Sequence, residues 1–419
     1  MPAAAHELGR RGAHRAVMRV IRGHRTTGAA LMGAALPLLV LPGAPARAAE
    51  DPVCGSTDVD TPQRTVTGAN AANDALQVPA ATALVRKAGR RPGEGVTVVV
   101  VDTQVPGGVA VAPRPDLVSS HGLTAAGIVG GPEQGKGDVA VGIAPAADVR
   151  PVRFYDAERG SAADGEAEPE PGALASALAG ISVGRRTVVL VPAVVGPGDS
   201  LRSALERLAR RGALVIAPSG DRPQQADGLL DDYVGDARPG QDAAADVWPA
   251  AVDDAVLAVG LAPPLSSLAL RNSEVDLAAP GVGAVSIGAQ GGWCRVTEPS
   301  TAWAAAQVAG VAALVWSIHR DDSAAELRAR LEGTASGNGE ASPLTGYGVV
   351  QPVEALQRPL ESLAPGGQRA AQVPRGDVPP QRADLLADTR HDAVWWGLGG
   401  GGALVVLLVL RPALARRRR

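Results

Sequence analysis

Aromatic residues are nearly missing from this chain of 419 residues. Phe, Trp and Tyr together make up 2% of it, with one Phe and three Tyr. A core built on ring packing is excluded, so aliphatic and small side chains must fill it. Cysteine is almost as scarce, with only Cys54 and Cys294. Their spacing does not suit a metal site, and no cofactor is implied. An excess of one charge is also missing. Forty Lys and Arg against 43 Asp and Glu leave a net charge of -3. That balance gives no electrostatic case for a nucleic-acid partner. What is abundant is aliphatic. Hydrophobic residues make up 46%, enough for a sizeable core, and Ala, Gly and Val dominate.

Both ends carry targeting signals. Arg10, Arg11, Arg15, Arg19, Arg22 and Arg25 precede an apolar run from Gly28 to Leu41, and Ala46-Arg47-Ala48 fits a small-x-small cleavage site. Residues 1–48 therefore read as a secretory signal, the alternatives being a retained anchor or an unstructured tail. A second apolar run spans residues 393–410, opens with Trp395 and Trp396, and is followed by Arg411 and Arg416 to Arg419. Its about 18 residues reach the minimum for a bilayer span. Interfacial Trp and trailing Arg predict a single pass with residues 411–419 as a basic cytoplasmic tail. Gly397 and Gly399 to Gly402 dilute the run, so a buried helix stays open. A signal plus an anchor predicts plasma-membrane attachment, with the intervening chain outside the cytoplasm. In that oxidising compartment an even pair of cysteines predicts one Cys54–Cys294 disulfide, the alternative being two free thiols.

Residues 49–75 are polar and turn-rich, an N-terminal arm. From about Leu76 the chain alternates. Val96 to Val101, Thr187 to Val191, Ala213 to Ala217 and Ala255 to Val259 are short apolar runs. Continuous apolar runs suit strands covered on both faces, hence a parallel sheet. Ser200 to Arg211, with Leu201, Leu205 and Leu208 on one face and Gly212 as a stop, predicts a helix, as does Ser323 to Glu332. Alternation over residues 76–356 predicts a doubly wound α/β sheet. Two acidic stretches, Asp156 to Pro171 and Asp221 to Asp246, read as solvated surface, the alternative being a partner or calcium contact, although no ordered ligand spacing supports calcium. Residues 357–392 are rich in Pro, Arg and Gln and read as a linker.

In an open α/β sheet the working crevice lies beyond the carboxyl ends of the strands. Asp102 ends the first predicted strand, and Asp221 follows a later one. Val96-Thr97-Val98-Val99-Val100-Val101-Asp102-Thr103 resembles the aspartate motif of subtilisin-like serine proteases. Ser120-His121-Gly122-Leu123-Thr124-Ala125-Ala126-Gly127 resembles their histidine motif. Ser300-Thr301-Ala302-Trp303-Ala304-Ala305-Ala306-Gln307-Val308-Ala309-Gly310 resembles their serine motif, G-T-S-x-A-A-P-x-V-A-G. The three stand in the family's order. Within it, the signal, arm, Pro-rich linker and C-terminal span resemble the mycosins, membrane-anchored proteases of actinobacterial type VII secretion systems. The resemblance implies a subtilisin-like fold, with Asp102 and His121 as two members of a catalytic triad.

The departures from the motif are the sharpest signal. Ala302 stands at the nucleophile position and has no hydroxyl to form an acyl-enzyme. Asp221 stands where the family has the asparagine that donates to the oxyanion. Gln104, Leu123, Ser300 and Ala306 also replace the family's residues. Loss of the serine alone removes on the order of 10⁶ in turnover, and of one oxyanion donor about 2.7–4 kcal/mol, both figures from subtilisin. Thr301 and Ser300 are displaced by one or two residues from the nucleophile position. The expectation is an inactive mycosin-like protein with a structural or binding role among type VII secretion membrane components. Two alternatives are a working endopeptidase with another nucleophile, and a surface protein that binds peptide in the old cleft.

Overall fold

A computed structural model describes residues 51–57, 65–135, 141–226 and 228–359. The expected signal, span and tail, together with residues 49, 50 and 58–64 of the arm and 360–392 of the linker, lie outside the described residues. Among the described residues no helix is long and apolar enough to cross a membrane.

Six parallel strands form the central sheet: β1 (Thr97–Asp102), β2 (Asp148–Arg153), β3 (Thr187–Leu190), β4 (Ala213–Pro218), β5 (Val256–Leu261) and β6 (Val275–Ala279). Their order is β2-β1-β3-β4-β5-β6. The four expected apolar runs become β1, β3, β4 and β5. The edge strand β2, Asp-Val-Arg-Pro-Val-Arg, has no such run. It pairs only with β1, so its outer face and the missing N–H of Pro151 face no ladder partner. A hairpin of β7 (Val285–Ile287) and β8 (Trp293–Arg295) forms a second, small sheet.

Eight α-helices accompany the central sheet among the described residues: α1 (Ala71–Ala75), α2 (Val78–Lys87), α3 (His121–Gly130), α4 (Pro171–Ala179), α5 (Asp199–Arg210), α6 (Thr301–Trp316), α7 (Ala324–Gly333) and α8 (Pro352–Gln357). The period-two pleat of β1 explains the two layers. Val98 and Val100 pack on the core that holds α3 and α6. Val99 and Val101 pack on the core that holds α4 and α5. Strand β1 is thus buried on both faces, as its unbroken valines require. Helix α5 turns Leu201, Leu205 and Leu208 inward and ends before Gly212, whose φ of 89° lies in the left-handed region. Helix α7 starts one residue after the expected Ser323, whose side chain and Glu326 form a capping box.

The scarcity of aromatics is answered by α6. Apart from Trp303 it is buried along its whole length, and most of its residues are Ala, Val or Gly. Small side chains let it sit against the sheet. A Cβ on Gly310 would lie 2.8 Å from the Ile143 Cβ.

The arm is less structureless than its composition suggests. It includes α1, and Val53 pairs in parallel with Arg295 of β8. Cys54 and Cys294 form the expected disulfide, with Cα atoms 4.9 Å apart. The Arg295 guanidinium fixes the arm further. It donates to the Asp51 carboxylate at 3.1 Å and to the Ala69 and Thr67 carbonyls at 2.9 and 2.8 Å.

Candidate active site

The sheet order reverses between β1 and β3, because the chain leaves β1 for β2 on one side and returns to β3 on the other. Such a switch point opens a crevice beyond the carboxyl ends of the strands. A cleft of about 320 Å³ lies there. Pro192 to Val194, beyond β3, and Pro218, at the end of β4, line one part of it. Tyr155, Glu158 and Arg159, beyond β2, line another, with Leu229 and Leu230 from the second acidic stretch. Its floor holds His121, Asp221, Ser300, Thr301 and Ala302. Both acidic stretches therefore contribute residues to the cleft and are not merely solvated surface.

Asp102 is fully buried at the end of β1. The next residue, Thr103, accepts the Gly122 N–H on its Oγ1 at 2.9 Å. This docks the start of α3 against the end of β1. Only glycine fits at 122, because a Cβ would lie 2.7 Å from the Thr103 carbonyl oxygen. The docking brings His121 Nδ1 to 3.0 and 2.9 Å from the two carboxylate oxygens of Asp102. The Asp102 Oδ1 also accepts the Thr103 N–H at 2.6 Å and the Tyr155 hydroxyl at 3.1 Å.

His121 is half-buried, and its ring leans on Trp303 at a centroid distance of 4.5 Å. Burial alone would lower its pKa. The charge and hydrogen bond of Asp102, with the charges of Glu158 and Asp221, outweigh burial and raise it above the ordinary histidine value. Burial, with the nearby charge of Asp102, pushes the Tyr155 hydroxyl well above the usual tyrosine range. Tyr155 therefore acts as a donor.

Asp221 lies three residues beyond β4. Gly220, at φ 97°, turns the chain there, and its neighbours Val247 and Leu270 are packed closely about it. The turn directs the Asp221 carboxylate at the N-terminus of α6. Its Oδ1 accepts the Thr301 N–H at 2.7 Å, and its Oδ2 accepts the Ser300 hydroxyl at 2.6 Å. Ser300 caps α6 and accepts the Ala302 N–H on its Oγ at 3.1 Å. Burial raises the Asp221 pKa, partly offset by these hydrogen bonds and by the charge of His121. Ala302 lies on the first turn of α6, 7% exposed, and offers the cleft a methyl group.

Asp102, His121, Asp221 and Ala302 are thus brought to one place. Cys54 and Cys294 are joined elsewhere, at the arm and the β7–β8 hairpin. Among the described residues no group of His, Cys, Asp or Glu has the arrangement to hold a metal ion. Tyr155, Glu158 and Trp303 were not singled out from the sequence. Tyr155 is one of three tyrosines in a chain poor in aromatics, directly beyond an edge strand, and that rarity was the available signal.

The pairing of a strand-end Asp with a helix-start His, facing the N-terminus of a long buried helix, defines a subtilisin-like α/β architecture. The model of the subtilase (peptidase S8) family matches residues 93–349, and the chain belongs to that family. Solved structures share its fold. MycP3, described as a protease from the type VII (ESX-3) secretion system, is 26% identical over 73% of this chain and 92% of its own, with a TM-score of 0.52. MycP1 from Mycobacterium smegmatis is 24% identical over 77% and 90%, with a TM-score of 0.54. A chain of an intact ESX-5 inner membrane complex is 21% identical over 87% and 93%, with a TM-score of 0.53.

Proposed function

We propose that this subtilase is a mycosin-like pseudoprotease with a structural or binding role in a type VII secretion membrane complex. The carrying observation is Ala302, a methyl group on the first turn of α6 in the same cleft as the Asp102–His121 pair. A base and its orienting carboxylate without a nucleophile cannot open an acyl-transfer reaction. Neighbouring hydroxyls offer no substitute. Ser300 Oγ is committed to Asp221, and Thr301 is 1% exposed.

Two of the solved relatives named above come from ESX-3 and ESX-5 contexts by their own descriptions, one of them an assembled inner membrane complex. That favours an assembly role for this chain. In this reading residues 1–48 are a removed signal, 49–75 an arm, 76–356 the folded domain, 357–392 a linker, 393–410 the single span and 411–419 a cytoplasmic tail. The folded domain stands outside the cytoplasm, where the Cys54–Cys294 bond is stable.

Two measurements on the full-length protein in detergent test the proposal. A fluorophosphonate probe should leave no adduct. Affinity purification from solubilised membranes should bring down secretion ATPase and membrane components. A stoichiometric adduct overturns the inactive reading, and recovery of the chain alone overturns the assembly role. The open, Pro- and Leu-lined cleft favours a second reading, peptide capture without cleavage, which saturable binding of an unstructured peptide to the wild type would support.

A further inference from the structure

We infer that Ser300 and Asp221 form a built-in plug. The Ser300 hydroxyl oxygen occupies the point where a reaction oxyanion would sit. The inference rests on the pseudoprotease reading above and concerns the same site.

In acyl transfer, donors lie about 2.7–3.1 Å from the position of the oxyanion. At the N-terminus of α6 one such donor is the backbone N–H of residue 302, which here ends on Ser300 Oγ at 3.1 Å. The other place is that of Asp221, whose Oδ2 lies 2.6 Å from the same oxygen. Ser300 Oγ therefore sits within hydrogen-bond reach of both.

The two replacements fit each other. A hydroxyl that accepts the Ala302 N–H must send its own hydrogen to an acceptor. A carboxylate oxygen at 221 supplies one, whereas the NH₂ of an asparagine would compete as a donor. A carboxylate at 221 without Ser300 would lose one of its hydrogen-bond donors, while the Thr301 N–H stays at 2.7 Å. Ser300 itself is held in place, donating its N–H to the Gly281 carbonyl at 3.0 Å. A Cβ on Gly281, whose φ is 65°, would lie 2.6 Å from the Ser300 carbonyl oxygen, so only glycine fits beside the cap. The φ of Ser300, -150°, is extended backbone that any residue adopts. Replacement of Ser300 by glycine removes the hydroxyl without releasing backbone strain.

The arrangement changes what the cleft accepts. A tetrahedral oxyanion is excluded twice, by occupied space and by the Asp221 charge. The loss of chemistry is fixed at three positions, and the lost anion site has become a helix cap.

Labelling by a fluorophosphonate, in which the serine oxygen displaces fluoride and its proton passes to His121, provides the test in full-length protein. The triple variant Ala302→Ser, Asp221→Asn, Ser300→Gly should label at least about tenfold faster than the double Ala302→Ser, Asp221→Asn. Equal rates, or no labelling of a folded triple variant, overturn the plug. A second arm needs no recovered activity. Ser300→Ala and Asp221→Asn should each lower the melting temperature, and their combination should fall little below the worse single change, as for partners in one interaction. Additive losses overturn the plug as well. An adduct on wild-type protein would instead overturn the pseudoprotease reading, so the two failures are distinguishable.

Discussion

The Tyr155 hydroxyl donates to Asp102 Oδ1 at 3.1 Å and lies 3.3 Å from His121 Nδ1, so a tyrosine from beyond the edge strand shares the carboxylate that orients the histidine. Asp102 thus divides its charge among three donors: Tyr155, Thr103 and His121. Tyr155→Phe should remove one competitor and leave more of the carboxylate for His121. The His121 pKa, already raised, should rise further, and stability should fall by about 0.5–1.5 kcal/mol. NMR titration of the imidazole in both proteins reads the shift. A fall in the His121 pKa would show that Tyr155 supports the pair instead of competing for it.

His121 also makes stability depend on pH, with a sign set by the raised pKa. The folded value exceeds the unfolded one, near 6.5, so the folded state binds the proton more tightly. Its contribution is complete below about pH 6.5 and is lost as pH rises through the folded value. The groups responsible are Asp102 first, then Glu158 and Asp221. His121→Gln should therefore cost more stability at about pH 5.5 than at about pH 9. Urea unfolding of both proteins at the two pH values checks this. A cost that grows with pH would mean that the carboxylates do not hold the charged imidazole.

Part of the candidate site was legible from local signals. Asp102 at the end of an apolar strand and Asp221 beyond a later one follow from the rule that strand ends carry the crevice. The aligned motifs supplied His121, Ala302 and the order. What escaped the sequence lies where partners are distant in the chain. Strand β2 was missed because a polar edge strand has no apolar run. Tyr155 and Trp303 were missed because their contacts with Asp102 and His121 are made only after folding. The bond from Ser300 to Asp221 joins residues 79 apart, and no spacing rule could predict it.

The Cys54–Cys294 bond closes a loop across a sequence separation of 240 and ties the arm to β8. Cys54→Ser with Cys294→Ser should cost roughly 2–5 kcal/mol. Arg295 should retain part of the docking, because its bonds to Asp51, Thr67 and Ala69 do not depend on sulfur. Adding Arg295→Ala to the double change should then release the arm to limited proteolysis. Resistance of that triple variant equal to wild type would show that neither fastening matters. Mass spectrometry of non-reduced wild-type digests should find no free thiol.

The largest single-site loss is expected far from the cleft, at Arg328 on α7. Its guanidinium donates to Asp276 Oδ1 at 2.7 Å and to Glu332 Oε1 at 2.6 Å, and both carboxylates are under a tenth exposed. It also donates to the Asp253 and Val256 carbonyls at 2.7 and 3.2 Å, so it joins the turn before β5 to β6 and α7. Asp276 Oδ2 accepts the Ala258 N–H at 2.7 Å and fixes the register irregularity between β5 and β6. Arg328→Met keeps much of the apolar stem but leaves two buried carboxylates without a cation. Removing one partner of a buried pair costs about 3–5 kcal/mol, because the other charge stays uncompensated. The loss should depend on pH. Burial already pushes the Asp276 carboxyl up to about 7 against the pull of Arg328. Without the arginine the folded pKa rises further above the unfolded value, so the variant binds its proton more tightly and loses stability as pH rises. The difference from wild type should therefore be larger at about pH 8 than at about pH 5.5. Urea unfolding at the two pH values measures it. A loss below about 1 kcal/mol, or one that does not change with pH, would show that water reaches these carboxylates.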